Sequence, residues 1–163
     1  MAAVAVARRV TADRYAKPEI ERRFMLDAVP ADVADAVEIT DRYIDGGHLR
    51  LRIVDAPGAA PVYKLGHKRR PDPSDAGLVM HTTIYLTAEE YELLEQLPAR
   101  ELRKTRFRVD VDGRPGLVDV LHGSNDGVIL LEVGFATEAE ARAYEPPSWV
   151  GAQTDLGGGD LAT

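Results

Sequence analysis

The sequence predicts an α+β fold in which an antiparallel sheet is large enough to curl or to close into a barrel. The first observation is that segments with the composition and alternation of β-strands recur along most of the 163 residues. The second is that short turns join several of these segments, so the strands that they connect run antiparallel. The third is that two helix-capping patterns, Thr87 with Glu90 and Thr137 with Glu140, interrupt the strands.

Five strands are predicted in the first half of the chain. The first alternates polar and apolar side chains, and a hairpin turn at Asp45-Gly46-Gly47 joins the second to the third. A short helix is expected to begin at Pro30, because Asp32 suits its first turn, and a turn-rich loop spans 70–77. The predicted strands are 19–26, 37–44, 49–54, 62–69 and 78–86.

The second half is predicted to begin with a helix from Ala88 to about Leu97, which stops before Pro98. Three strands follow, and the turns between them are at Asp112-Gly113 and in the loop 123–127. A last short helix follows Thr137 and ends before two prolines. The three predicted strands are 103–111, 116–121 and 128–135.

Composition and charge exclude several classes of protein. The chain has no cysteine, which excludes a disulfide framework, a thiolate zinc site and a cysteine nucleophile. Its 20 Lys and Arg residues are outnumbered by 27 Asp and Glu, and the net charge of −7 argues against non-specific nucleic-acid binding. No apolar run approaches the roughly 20 residues that span a bilayer, and the N-terminal stretch lacks the charge order of a secretory signal. We therefore expect a cytoplasmic protein with no membrane partner.

Cationic side chains recur along one face of three predicted strands, so each strand presents a positive ladder. For any single pair, a solvated face is the simpler interpretation. Several such strands together favour an anion that neutralises them, because like charges on neighbouring strands repel. Arginine and lysine on rigid strands suit a short oligophosphate. The ladders are Arg50 with Arg52, Lys64 with Lys68, and Lys104 with Arg106 and Arg108.

Four carboxylates lie in the same kind of strand. Glu19 and Glu21 share a face of the first strand, Asp119 lies in the apolar segment 117–121, and Glu132 lies within 128–133. A buried carboxylate in such a run must be paired, protonated or bound to a metal. An inward ion pair with an arginine is the alternative that stays open for Glu132. Carboxylates beside an oligophosphate indicate Mg²⁺ or Mn²⁺, which take oxygen ligands.

A series of short motifs, in order, resembles the CYTH family, also called triphosphate tunnel metalloenzymes. The chain is similar to a short, bacterial-type, single-domain member from residue 18 to about 151. The tunnel domain is then 18–151, between an N-terminal arm (1–17) and a C-terminal tail (152–163) that are both expected to be flexible. The motifs are Glu19-Ile20-Glu21-Arg22-Arg23, Leu49-Arg50-Leu51-Arg52, Tyr63-Lys64, Leu102-Arg103-Lys104-Thr105-Arg106, Val118-Asp119-Val120, Leu130-Leu131-Glu132-Val133 and Pro146-Pro147-Ser148-Trp149-Val150-Gly151.

The resemblance implies a closed, eight-stranded antiparallel barrel with flanking short helices, in which a cationic tunnel binds phosphates. It also implies a triphosphatase, a hydrolase of short inorganic polyphosphate or of a small organic triphosphate, that depends on Mg²⁺ or Mn²⁺. The residues it implies as catalytic are Glu19, Glu21, Arg23 and Glu132. The three glutamates would also bind the metal, and the strand pattern adds Asp119 to them. The phosphate-binding residues would be Arg50, Arg52, Lys64, Lys68, Lys104, Arg106 and Arg108.

The chain departs from the family pattern at several positions. Gly134 stands where many members have a further acidic residue, and Arg23 replaces a lysine whose chemistry it does not match. Asp41 stands where glutamine is expected, and residues 151–160 differ from the family's ending. Two alternatives therefore stay open: a non-catalytic module that binds a nucleotide, cyclic nucleotide or polyphosphate, and a class IV-type adenylyl cyclase. A homodimer is also left open.

The net charge of −7 is then expected to combine a cationic interior with an acidic exterior, because eight predicted inward cations face four predicted inward acids. Such an exterior would repel long polyanions while the interior admits short ones. Trp149 is expected to be a packing anchor. The histidines show no ligand spacing and are expected at the surface or in turns; they are His48, His67, His81 and His122.

Overall fold

A closed antiparallel β-barrel with a few short helices forms the protein in a computed structural model that describes residues 13–75 and 77–163. Its eight strands are β1 (Lys17–Met25), β2 (Ala34–Ile44), β3 (Leu49–Asp55), β4 (Val62–Arg69), β5 (Leu78–Leu86), β6 (Ala99–Val111), β7 (Arg114–Leu121) and β8 (Ile129–Phe135). Outside the barrel lie the short strand β9 (Gln153–Thr154) and the helices α1 (Ala88–Leu94), α2 (Glu138–Ala143) and α3 (Gly158–Leu161). Within the described ranges, no helix has the length and apolar composition needed to cross a membrane.

Hydrogen-bonded neighbours follow the order β5-β4-β3-β2-β6-β7-β8-β1. The ring closes where residues 17–20 of β1 pair with residues 78–81 of β5. All these pairings are antiparallel, and short turns make most of the connections, as the sequence indicates. The predicted α+β barrel is therefore confirmed. Most of the predicted N-terminal arm (1–17) lies outside the described residues.

Strand register decides which side chains share the interior. Residues directly opposite each other on neighbouring strands point to the same face of a sheet. Glu132 of β8 lies opposite Arg23 of β1 on one side and opposite Leu117 of β7 on the other. This row crosses three strands, and all three of its side chains line the interior.

The apolar core lies mainly on the outer face of the barrel. Phe24, Val118 and Leu131, from β1, β7 and β8, are almost completely buried there. Tyr144 and Val150, in the chain segment after α2, pack against this cluster from outside. On β1, β6, β7 and β8, the apolar positions that alternate with the charged ones are therefore covered on the outside, and the charged positions are left facing inward.

The C-terminal segment, expected as a flexible tail, packs against one end of the barrel. β9 pairs with β1, and the backbone groups of Thr163 and Glu101 exchange hydrogen bonds of 2.9 and 3.1 Å. Ala162 is buried beside Leu102 of β6. Leu161 and Ala162 are two apolar residues in a glycine-rich stretch, which is too short a pattern to predict such packing.

Two local predictions differ from the structure. The residues after Pro30 form a turn instead of a helix, and β2 begins at Ala34, where its register with β6 shifts and Asp35 has a φ of 53°. β6 begins at Ala99, before the predicted start, because its first residues pair with the end of β2. Tertiary pairing thus extends both strands beyond their local sequence pattern.

Replacing Gly158 with alanine is expected to loosen the C-terminal segment. A methyl group there would fall on the hydroxyl oxygen of Tyr43, and such overpacking costs roughly 1 to 3 kcal/mol. Gly159→Ala is the matched control, because its methyl group would meet the same ring at an ordinary 3.5 Å. Thermal unfolding and hydrogen exchange of residues 157–163 measure the difference. Equal behaviour of the two variants would contradict this packing.

Candidate active site in the barrel interior

The barrel interior contains a cavity of about 820 Å³, and most of the predicted site residues line it. Alternation along each strand turns them inward, and the ring of strands brings the two ends of the chain together. Residues that are more than a hundred positions apart in sequence thus face one another. The predicted residues in the lining are Glu19, Glu21, Arg23, Arg50, Arg52, Lys68, Lys104, Arg106 and Glu132.

Three predicted site residues lie elsewhere. Asp119 is 2% exposed and lies behind the cavity wall. The amine of Lys64 lies 5.1 Å from the centre of the Tyr85 ring, outside the cavity lining. The side chain of Arg108 is 75% exposed, and its guanidinium is 3.3 Å from the carboxylate of Asp35. Arg108 lies opposite Ala34, beyond the register shift between β2 and β6, and its side chain is exposed to solvent instead of lining the cavity, which a repeating strand pattern does not reveal.

Arg23 joins two of the predicted carboxylates. Its Nη2 donates to Glu21 at 3.0 Å, and its Nε donates to Glu132 at 3.3 Å. Burial raises the pKa of Glu21, and the charge of Glu132 raises it further. Burial alone would also raise the pKa of Glu132, but Arg106, Lys104 and Arg23 hold it well below its usual range. The predicted arginine pair of Glu132 is thus formed, with Arg23 and with a second arginine.

Asp119 and Glu132 hold the cations of β6. Arg106 donates to Asp119 through Nε at 2.6 Å and through Nη2 at 2.7 Å, and the same Nη2 lies 3.0 Å from Glu132. Lys104 donates to Asp119 at 2.6 Å. Burial and the charge of Arg106 lower the pKa of the Lys104 amine.

His81 is a site residue that the sequence did not reveal. Its Nδ1 donates to Glu19 at 2.6 Å, and Lys68 donates to the other carboxylate oxygen at 2.7 Å. Burial alone would raise the pKa of Glu19, but the hydrogen bond from His81 and the charge of Lys68 lower it to about 2. Gly66 leaves room for the ring, since a Cβ there would lie 2.9 Å from Nε2. Only the closure of β1 on β5 brings His81 to Glu19, so no local pattern marks it.

Asp41 is the second residue that sequence reasoning did not place in the site. Its side chain has no exposed surface, and both of its oxygens accept from Arg52, at 2.5 and 2.7 Å. Arg50 and Lys104 lie 3.5 and 3.9 Å from the same carboxylate. Burial alone would raise the pKa of Asp41, but these cations hold it far below its usual range. The available signal was that Asp41 stands where the family pattern has glutamine.

The interior is therefore closer to neutral than the strand pattern predicts. Lys64 and Arg108 lie outside it, and Asp41 adds a negative charge. Among the described residues, the cations that line its strands are Arg23, Arg50, Arg52, Lys68, Lys104 and Arg106, and the carboxylates paired with them are Glu19, Glu21, Asp41, Asp119 and Glu132. Arg69 and Arg70 add positive charge to the lining where β4 enters the loop 70–77.

The carboxylates Glu19, Glu21 and Glu132 have the oxygen donors that a hard divalent cation takes. The raised pKa of Glu21 reflects a negative charge that its surroundings compensate poorly, and a cation would supply that compensation. In the described part of the chain, no three acidic or histidine side chains converge as ligands, and Arg23 lies between Glu21 and Glu132. The glutamates thus fit Mg²⁺ or Mn²⁺ by donor type, whereas both oxygens of Asp119 are taken by lysine and arginine.

Neutralising two carboxylates of the same strand is expected to change stability in opposite directions. The folded-state pKa of Glu21 lies above the ordinary 4.5, so its ionised form weakens the fold at pH 7. The pKa of Glu19 is about 2, so its charge stabilises the fold above pH 4.5, and this stability is lost as pH falls from 4.5 towards 2.

Glu21→Gln should therefore raise Tm at pH 7, and Glu19→Gln should lower it and flatten its dependence on pH between 4.5 and 2. Thermal unfolding followed by circular dichroism from pH 2 to pH 8 measures both effects. A fall in Tm for both variants at pH 7 would contradict the proposed difference in their surroundings.

Comparisons with known proteins find relatives that share this barrel. The inorganic triphosphatase of Nitrosomonas europaea is 30% identical to the chain over 140 residues, which cover 82% of this chain and 86% of the relative. The crystal structure of the inorganic triphosphatase NE1496 matches with a TM-score of 0.59 at 25% identity, over 88% of this chain and 93% of that chain. A candidate adenylate cyclase of Bacillus halodurans matches with a TM-score of 0.54 at 16% identity, over 78% and 86% of the two chains, which shows a shared fold. No family model matches the chain.

The likeness to the Nitrosomonas europaea enzyme is one of sequence as well as of fold. It extends over most of both chains, so it is not confined to one motif. The chain therefore belongs to the family of the inorganic triphosphatase of Nitrosomonas europaea.

Proposed function

We propose that the protein hydrolyses a short inorganic polyphosphate or a small organic triphosphate inside the barrel, in a reaction that depends on Mg²⁺ or Mn²⁺. The observation that carries the proposal is the cavity of about 820 Å³, whose walls hold arginines and lysines on several rigid strands. The family membership supports the same chemistry, because the relative is an inorganic triphosphatase. Phosphoryl transfer needs chiefly positioning and charge neutralisation, and such a wall supplies both.

The charge balance of the interior favours a metal-dependent reaction. The cations of the strands are nearly matched by the carboxylates paired with them. A triphosphate brings several negative charges, so further positive charge has to enter with it. A divalent cation held by Glu19, Glu21 and Glu132 would neutralise part of that charge and activate the attacking water.

The cations have distinct tasks in this proposal. Arg50 lines the cavity, so its guanidinium can donate to a phosphate oxygen. Arg52 and Arg106 hold oxygens with the guanidinium groups that line the cavity. Lys104, whose pKa is lowered, is suited to give a proton to the leaving phosphate, which Arg23 cannot do at accessible pH.

A non-catalytic module that binds phosphate ligands is the second candidate. It is favoured by Gly134, which lies opposite Glu21 in the β1–β8 pair and brings no carboxylate to the site. Such a module would keep the cationic wall and bind its ligand without turnover. An adenylyl cyclase stays a prediction, since the candidate cyclase among the solved structures shares only the fold.

Measuring phosphate release from tripolyphosphate, ATP and thiamine triphosphate, with Mg²⁺ or Mn²⁺, tests whether the protein is a triphosphatase. We expect Glu21→Gln to lower turnover by at least about 100-fold, because a carboxylate beside the reacting phosphates is lost. Arg103→Ala is the control. Its side chain is 70% exposed on the outer face of β6, so we expect turnover within about twofold of the wild type.

Calorimetric titration with the same phosphates, without metal, separates the two candidates. Tight binding with no turnover at any metal concentration would support the non-catalytic binding module and would overturn the proposal that the protein is a triphosphatase. If the protein neither binds these phosphates nor hydrolyses them, both candidate functions are overturned.

Gly134→Glu is expected to strengthen metal dependence. Nothing lies within 4 Å of a Cβ at this position, so a glutamate can be placed opposite Glu21 without a clash. A further oxygen donor should lower the Mg²⁺ concentration that gives half-maximal turnover. Gly134→Gln is the matched control, because it has the same size without the charge. An equal effect of both substitutions would show that charge at this position does not serve the metal.

A further inference from the structure

Asp41 lies at the junction of three strands that carry the cationic wall. It belongs to β2, it faces Arg52 of β3 in register, and Lys104 of β6 lies on its other side. Its side chain is completely buried and is not part of the cavity lining, whereas Arg50, Arg52 and Lys104 are. Asp41 thus lies on the inner face of the barrel beneath these three side chains, which separate it from the cavity.

Each of these three cations is held by Asp41 to a different degree. Arg52 donates to both oxygens, at 2.5 and 2.7 Å. The Nε of Arg50 lies 3.5 Å from one oxygen and makes no hydrogen bond with any described residue. The amine of Lys104 lies 3.9 Å from the other oxygen and is bonded more closely to Asp119. One carboxylate is therefore shared among cations that would otherwise repel one another.

We propose that Asp41 is a positioning residue of the phosphate site: its carboxylate holds Arg50, Arg52 and Lys104 in place until the phosphates of the ligand neutralise them from the cavity side. This inference rests on the proposed function, since it takes a short phosphate chain as the ligand. An amide at this position keeps a hydrogen bond to Arg52 but removes the shared negative charge. The loss should then matter most when no phosphate is present.

Thermal unfolding of Asp41→Asn, with and without tripolyphosphate and in the absence of divalent metal, tests the proposal. Without the anion, we expect Tm to fall by roughly 10 °C, since Arg50 and Arg52 lose their counter-charge and Lys104 keeps only that of Asp119. At saturating tripolyphosphate, at least half of this deficit should disappear, because the bound anion supplies the missing charge. Asp41→Glu keeps the charge, and its Tm deficit should not respond to the anion.

Val118→Ala is the matched control for a defect that is only structural. Val118 is completely buried in the outer apolar cluster, away from the cavity, so its Tm deficit should be the same with and without tripolyphosphate. A deficit in Asp41→Asn that is equally insensitive to the anion would overturn the inference and leave the proposed function standing. If tripolyphosphate without metal fails to stabilise the wild type, the inference is overturned, and if it also fails with Mg²⁺ present, the proposed function is overturned as well.

Refolding keeps the test decisive if Asp41→Asn does not fold under ordinary conditions. The denatured variant is diluted into buffer with tripolyphosphate or with the same ionic strength of NaCl. Recovery of native circular dichroism only with tripolyphosphate supports the inference, and failure in both buffers overturns it.

Discussion

Compensation of buried charge is the constraint on which the rest of this barrel depends. Closing the ring turns arginines and lysines of several strands into a confined space, where an unpaired charge is costly. Carboxylates of the same strand, a neighbouring strand or the strand beyond it pair with these cations, and Asp119 pairs with both Lys104 and Arg106. The apolar faces of the same strands then pack on the outside, where Phe24 and Leu131 are buried under the segment that follows α2. Alternation along the strands thus gives the barrel a charged interior, with a smaller apolar cluster at Leu102, Leu121 and Leu130, and an apolar layer outside.

This arrangement also bears on how an acidic protein would bind the proposed anion. The interior has little surplus charge, so the proposed phosphate binding depends on where the cations are held and on what enters with the ligand. Strands fix the positions of Arg52 and Arg106 more firmly than loops would, and their carboxylate partners hold the side chains before a ligand arrives. Glu21, which its surroundings compensate least, is the acid that would gain most from a metal cation.

Much of the fold was predictable, because alternation and turn residues are local signals. The charged ladders on the strands that carry Arg52 and Lys104 were visible in the same way, and both residues line the cavity. The ladder pattern failed at Arg108, whose side chain is exposed to solvent beyond a register shift, and at Lys64, whose amine lies over a tyrosine ring. His81 was not predicted as a site residue because its partner, Glu19, is 62 residues away and meets it only when the ring closes.

The sequence by itself determined the class of fold and the charged strands, and it predicted an oligophosphate site. It did so because a strand's period of two and the types of its side chains can be read without knowing any partner strand. Only the tertiary structure decided which charges face each other, because that depends on register and closure. Asp41 illustrates the difference: in the sequence it is an unexpected acid, whereas in the barrel it is the shared counter-charge of Arg50, Arg52 and Lys104. The packing of residues 157–163 against the barrel end was decided in the same way, by contacts with a surface that the sequence does not display.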